Sequence, residues 1–388
     1  MRIAQIAPPF RALPPQRYGG TERVVATLTD ALVERGHDVT LFASGDSRTS
    51  ARLEPTVPRA LWDTADGATD FAQFCAATIG AVVARLQDFD LIHNHLDFWG
   101  YPLAALSSVP VLTTLHGRLD VPGVAAALEP YATVPLVSIS DAQRRPVPWA
   151  NFRATVYHGM DLSARPPRYD GAGGYLAWIG RIAPEKGLDV AIRVARRAHR
   201  RIRVAAREPL RFTADAEATR DRHYFEDVIQ PLLKEPHVDY LGELGGATKH
   251  AFLRGADALL FPVDWPEPFG LVMIEALAAG TPVIALNRGS VPEVITHGMT
   301  GYVCADESEL VDSVDQLGRL DRASCRAAVE ARFSVETMVE AYESLYARLL
   351  GRQELIDFLS RARQRTALRS ASRLRAATRV LESDQVNP

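Results

Sequence analysis

Cysteine is scarce: Cys75, Cys304 and Cys325 are an odd three in 388 residues, with neither C-x-x-C nor zinc-ligand spacing. That excludes a disulfide framework and points to a reducing compartment, with the thiols as core or surface residues. An excess of one charge is missing as well. Forty-four Lys and Arg against 47 Asp and Glu leave a formal net charge of -3, which gives no global reason to expect nucleic acid or a membrane surface as partner. No apolar run reaches the length of a transmembrane helix, and the strand-like Arg2 to Ala7 starts the sequence with no leader pattern before it. The expected location is therefore cytoplasmic. A G-x-S-x-G elbow, a Cys/His pairing on matching elements, a Walker loop and a G-x-G-x-x-G fingerprint are absent too. Hydrolases of those kinds, P-loop NTPases and ordinary dinucleotide sites are set aside with them.

What is present is length and alternation. A chain that is 47% apolar over 388 residues can build two ordinary domains, each with its own core. Strand-like runs at Arg2 to Ala7, Val39 to Ala43, Asp90 to His93, Val111 to Leu115, Val134 to Ile139 and Ala154 to Tyr157 are separated by loops or by helical segments such as Thr21 to Gly36 and Phe71 to Leu86. Asp161 to Gly174, with three glycines and two prolines, reads as a linker. A second series follows, with strands at Tyr175 to Ile179, Ile202 to Ala205, Val238 to Leu241, Ala258 to Phe261, Pro282 to Ala285 and Gly301 to Val303. Helices fall near Leu188 to His199, Arg222 to Leu233, Ala247 to Arg254, Phe269 to Ala279, Val291 to Thr296 and Glu307 to Leu317. The fold class is α/β, two doubly wound parallel sheets facing a cleft, with ligands expected outside the strand ends. The domains are residues 1–165, 166–350 and an arginine-rich tail, 351–388, that is helical or flexible.

Phe261 to Glu275, FPVDWPEPFGLVMIE, carries most of the information. A strand runs into a loop stiffened by Pro262, Pro266 and Pro268, and Phe269-Gly270 then opens a helix. Unpaired N–H groups and the helix dipole at Gly270 favour an anion, and a missing Cβ lets a phosphate come close. Glu267, just before the helix, is either a hydroxyl acceptor at the cleft mouth or a solvated loop acid. Glu275 stands on an apolar face, where a carboxylate needs a partner such as ribose hydroxyls, or else belongs to the polar edge of the helix. Arg181 closes one strand and Lys186 opens the next helix within Gly180-Arg181-Ile182-Ala183-Pro184-Glu185-Lys186-Gly187. Two cations converging there would suit a diphosphate leaving group, and taken alone they are equally surface charges at a helix start. His116 stands at the C-terminal end of a strand, before Gly117. His93-Asn94-His95 has H-x-H spacing without a third ligand nearby, and reads as a polar strand end. Asp88-Phe89-Asp90 reads as a turn, while Ser140-Asp141 and His158 to Asp161 are helix caps or ligand contacts.

Taken whole, the Phe261 to Glu275 segment resembles the donor-binding motif of the retaining glycosyltransferases of family four, which have the GT-B fold. Glu267, Phe269, Gly270 and Glu275 match that motif residue by residue. The string from Gly180 to Gly187 resembles the family's diphosphate clamp, His116 its histidine near the donor sugar, and Gly19-Gly20-Thr21 its glycine loop, which lies against donor phosphate or acceptor. The resemblance covers Met1 to about Leu350 and leaves out the tail with Arg361, Arg363, Arg365, Arg369, Arg373, Arg375 and Arg379. It implies transfer of a hexose (glucose, mannose or N-acetylglucosamine) from a nucleoside-diphosphate sugar, UDP-linked by expectation, to a hydroxyl acceptor, with retention and without a metal or a cofactor. Arg181, Lys186 and the backbone at Gly270 and Leu271 would hold the diphosphate, Glu275 the ribose, and Glu267 and His116 the sugar, with Gly20 and Phe269 also on the donor site. The chain departs from many relatives after the strand Ile202 to Ala205, where Ala206-Arg207-Glu208-Pro209 replaces glycines, so that Arg207 could add a third cation. The acceptor would meet the first half, where Phe10, Tyr18, Phe98, Trp99 and Tyr101 allow a flat or sugar-like molecule and fit packing equally well. An epimerase or phosphorylase of the same architecture and a non-catalytic sugar-nucleotide binding protein are the alternatives.

Overall fold

A computed structural model describes residues 1–16, 19–63, 71–169, 173–209 and 216–351. The arginine-rich tail and Tyr18 lie outside the described residues, and with them the expectation of a helical extension.

The first sheet is built from β1 (Arg2–Ile6), β2 (Asp38–Ser44), β3 (Arg52–Val57), β4 (Leu91–Asn94), β5 (Val111–Thr114), β6 (Leu136–Ser138) and β7 (Phe152–Thr155). Their order is β3-β2-β1-β4-β5-β6-β7 and every pairing is parallel. The second sheet, from β8 (Tyr175–Arg181), β9 (Arg201–Arg207), β10 (Val238–Tyr240), β11 (Ala258–Phe261), β12 (Val283–Leu286) and β13 (Gly301–Cys304), runs β10-β9-β8-β11-β12-β13, also parallel throughout. Parallel strands covered by helices on both faces are near-continuous apolar runs. ALLF of β11 and VIAL of β12 meet that requirement, each residue buried. In each sheet the order reverses beside the first strand, between β1 and β4 and between β8 and β11. Such reversals open a crevice at the strand ends, and the two crevices share one cleft.

Two departures from the sequence reading have plain causes. β3 lies where the pattern gives a loop. It is an edge strand, and Pro55 is tolerated there because an edge residue need not donate to the ladder. After Leu317 two further helices appear, Arg322–Arg332 and Val335–Leu349. The second crosses back to the first sheet. Met338, Val339, Tyr342, Leu345 and Tyr346 pack with Ile3, Val24, Leu28 and Leu91, so this helix belongs by packing with the first half although it follows the second in sequence. A parallel bridge between Met160 and Ser334 joins the two crossings. Cys75, Cys304 and Cys325 are all buried thiols.

Candidate active site

A cavity of about 660 Å³ lies between the halves, and Gly20, His116, Arg181, Lys186, Glu267, Phe269, Gly270, Leu271 and Glu275 all line it. The strand ends explain this convergence: β4 and β5 deliver His95, Asp97 and His116 from one side, and β8, β9 and β11 deliver Arg181, Arg207 and the Pro262 to Gly270 loop from the other.

On the second half the charges are already matched. Arg181 pairs with Asp221, with Glu185 at 2.8 Å and with Glu217 at 3.0 Å. Lys186 Nζ donates to Glu267 Oε2 at 2.7 Å, and Trp265 Nε1 donates to the same oxygen at 2.8 Å. Both cations line the cavity, and each is held by carboxylates. Gly270 has φ 75° at the cap of the helix Leu271–Ala278, whose first-turn N–H groups receive no side-chain cap. A Cβ there would come within 2.7 Å of Met273 Cε. Glycine is what this close, left-handed turn admits. Glu275 is 8% exposed and 2.5 Å from Lys249 Nζ. Burial raises its carboxyl, but Lys249 outweighs burial, with help from Arg23 and Arg165, and leaves it below the ordinary carboxylate value. Phe269 is buried edge-on beneath His158, at 4.8 Å between ring centres.

The first half presents a line of histidines. Gln5 Nε2 donates to the Tyr346 hydroxyl at 3.5 Å, which turns Gln5 Oε1 towards His95 Nε2 at 2.8 Å. His95 Nε2 must then carry its proton and leave Nδ1 bare, so His116 Nε2, 2.9 Å from that Nδ1, is the donor. His116 Nδ1 is left as a buried acceptor with no partner among the described residues. Burial pushes His116 down to about 3 and holds His93, His95 and His158 well below the ordinary histidine value, so the row is neutral. His93 plays a different part from His95: it bonds the Tyr346 hydroxyl at 2.7 Å and Thr114 Oγ1 at 2.8 Å, beneath the cavity. Among the described residues no group of three His, Cys, Asp or Glu is placed to hold a metal.

The other sequence candidates divide cleanly. Ser140 Oγ accepts from Gln143 N at 3.0 Å and is a helix cap. Asp88 and Asp90 pair with Arg85 and Arg2, away from the cavity, as a turn would. His158, Arg207 and Phe10 line the cavity, Phe10 stacked on Trp62 at 5.1 Å, whereas Tyr101 is core and Phe98 is exposed. Several wall residues escape the sequence reading. Asp97, which burial pushes up to about 6 against the opposing backbone N–H of His116, and Glu22, also raised by burial, are acids in the first-half wall. Asp97 at a strand end and Glu22 two residues after Gly20 carry a positional signal. Trp265 lies inside the motif itself. Lys249, 26 residues before its partner, has none.

The sequence model described as glycosyl transferases group 1 matches residues 168–332, and that of glycosyltransferase family 4 matches residues 18–155. Two curated relatives are matched over less than half of their own length: an uncharacterized 41.2 kDa protein in the cps region of Klebsiella pneumoniae (30% identical, 44% of this chain and 45% of that protein) and N-acetyl-alpha-D-glucosaminyl L-malate synthase of Bacillus anthracis (34% identical, 31% of this chain and 34% of that protein). D-inositol 3-phosphate glycosyltransferase of Mycobacterium leprae is 26% identical over 86% of this chain and 89% of its own. Among solved structures, that of Anabaena HepE in complex with UDP-glucose superposes with a TM-score of 0.67 at 17% identity, covering 90% of this chain and 99% of that one. The two sequence models together span most of both halves, and the architecture is shared, so the chain belongs to the group 1 glycosyl transferases of family 4 and has the GT-B fold.

Proposed function

We propose that this protein transfers a hexose from a nucleoside-diphosphate sugar, UDP-linked, to a hydroxyl group of an acceptor, with retention at the anomeric carbon and no metal. The observation that carries the reading is the meeting of two cations, an uncapped helix N-terminus and two buried carboxylates in one interdomain cavity. Arg181, Lys186 and the N–H groups at Gly270 and Leu271 offer donors for a diphosphate, and each charge-assisted bond gains strength as negative charge grows on the leaving oxygen. Glu275 is an acceptor suited to ribose hydroxyls. Glu267 and the bare His116 Nδ1 are acceptors for sugar hydroxyls. No carboxylate stands as a separate nucleophile in this assignment, which supports a same-face substitution in which the departing phosphate takes the acceptor's proton. That HepE has been seen with UDP-glucose supports a UDP-linked donor.

The test is a thermal-shift panel of UDP, GDP and ADP with their glucose, mannose and N-acetylglucosamine derivatives, on wild type, Arg181→Ala and Glu275→Ala. A ligand specific to the folded state adds about 2.7 kcal/mol at a hundredfold excess over its dissociation constant. One responding nucleotide series, lost in both variants, is the expected result. No shift with any of the compounds in a folded protein refutes the donor reading and leaves a protein that does not use nucleotide sugars.

A further inference from the structure

Glu267 Oε2 has two donors of different character, the Lys186 ammonium at 2.7 Å and the Trp265 indole N–H at 2.8 Å. Lys186 also stands over the Trp265 ring, 4.1 Å from its centre, and Arg118 of the first half lies over the same ring at 5.0 Å. Arg118 is itself fixed by both arms to Asp120, at 2.8 and 2.6 Å. The indole thus carries one cation from each half of the molecule and holds the carboxylate between them. Its loop is stiff: Pro262, Pro266 and Pro268 bracket it, Asp264 N donates to Glu185 O at 2.9 Å, and Glu267 N donates to Trp265 O at 2.8 Å.

These two donors respond differently to an arriving diphosphate. Lys186 ends a flexible four-carbon stem and is a compact cation, so a group of higher negative charge draws it off a carboxylate. The indole N–H is neutral and its ring is pinned, so it stays. We propose that Trp265 is a positioning residue that takes over Glu267 when Lys186 turns to the donor's diphosphate, keeping Oε2 anchored and leaving Oε1 to the sugar. The proposal rests on the nucleotide-sugar reading above and adds a residue to it. It also gives the Arg118 contact a purpose: the ring is braced from the first half only while the two halves are together.

Trp265→Phe removes the N–H together with the five-membered ring of the indole and leaves a six-membered aromatic ring on the same loop. The measurements are the dissociation constant of UDP and the rate at which UDP-glucose is hydrolysed to UDP and glucose, with water as acceptor, for wild type, Trp265→Phe, Glu267→Gln and the double variant. A melting curve for each confirms folding. The expected result is UDP affinity within about twofold of wild type in Trp265→Phe, hydrolysis slowed about tenfold as for the loss of one hydrogen bond to a charged group, and no further slowing when the change is made in the Glu267→Gln background. Trp265→His, which restores a ring N–H, recovers part of the rate. Equal weakening of UDP binding and turnover, or the same tenfold loss in the Glu267→Gln background, overturns the proposal, because Trp265 would then act on the fold or the phosphate and not through Glu267. Wild-type protein that binds none of UDP, GDP and ADP removes the donor reading itself and this proposal with it, a result distinguishable from the first two by its appearance before any substitution is made.

Discussion

Replacing Lys249 by Met removes the cation that faces a buried carboxylate and keeps most of the hydrocarbon stem. Glu275 is 8% exposed, and its charge is tolerated because Lys249 Nζ lies 2.5 Å away. Without that cation, burial pushes the carboxyl up against the remaining pull of Arg23 and Arg165. The loss in stability has a ceiling, since the carboxylate can take up a proton. Moving from an ordinary pKa of about 4.3 to pH 7 costs about 3.7 kcal/mol at about 1.36 kcal/mol per pH unit. With the two arginines keeping the cost under that ceiling, the expected loss at pH 7 is about 2–3 kcal/mol, near the low end for breaking a buried pair. The pH dependence identifies the cause. In wild type the folded pKa is depressed, so the pair's stabilisation is present above the unfolded pKa and is lost as the pH falls through the folded one. In Lys249→Met the folded pKa is raised, so the penalty is full at high pH and fades as the pH falls towards the unfolded value. Urea unfolding of both proteins at pH 7 and pH 5, followed by circular dichroism, should show the gap between them narrowing by about half, since the wild-type pair is still charged at pH 5. An equal gap at the two pH values would refute the buried-charge explanation and leave lost packing as the cause.

Gly270→Ala places a Cβ at φ 75° and 2.7 Å from Met273 Cε, and should lower stability by about 1–2 kcal/mol while weakening nucleotide binding; a variant with wild-type melting and wild-type UDP affinity would contradict the close-approach argument. Gln5→Leu strips the acceptor from the buried His95 Nε2–H and should cost about 1–3 kcal/mol, with nitrogen-15 histidine spectra showing His116 no longer in a single tautomer; one unchanged tautomer would break the proposed chain. The four neutral histidines have folded pKa values below their unfolded ones, so the unfolded state binds protons first and stability should fall as the pH drops below about 6.5, each contributing a slope of about 1.4 kcal/mol per pH unit. Asp97, raised to about 6, and Glu22 and Asp221, also raised by burial, act in the opposite direction over a lower window, three groups against four. A melting temperature that rises from pH 7.5 to pH 5.5 would contradict this.

Positions carried by local pattern are legible in the sequence. The strand–proline loop–glycine–helix order of Phe261 to Glu275 appears in the structure as β11, a loop and the helix Leu271–Ala278, because each step is decided by neighbours a few residues away. What the sequence conceals depends on partners far along the chain. β3 reads as a loop because an edge strand has no buried face on both sides to write a pattern. Phe269 matches a donor motif and is found buried beneath His158, and the H-x-H pair splits into His95 at the cavity and His93 beneath it, since a strand end meets two environments within three residues.

Period, turn chemistry and strand-end position are local properties, and from them follow the two α/β halves and the glycine at the cap of the helix Leu271–Ala278, while the family resemblance added which of those residues would share one site. Which charge answers which is settled only once the chain has folded. Lys186 with Glu267, Lys249 with Glu275 and Arg181 with Asp221 are pairs separated by 81, 26 and 40 residues, and the helix Val335–Leu349 reaches β1 and the histidine row only by crossing back over the whole second half. Ion pairing and burial act through space, and no spacing along the chain encodes them.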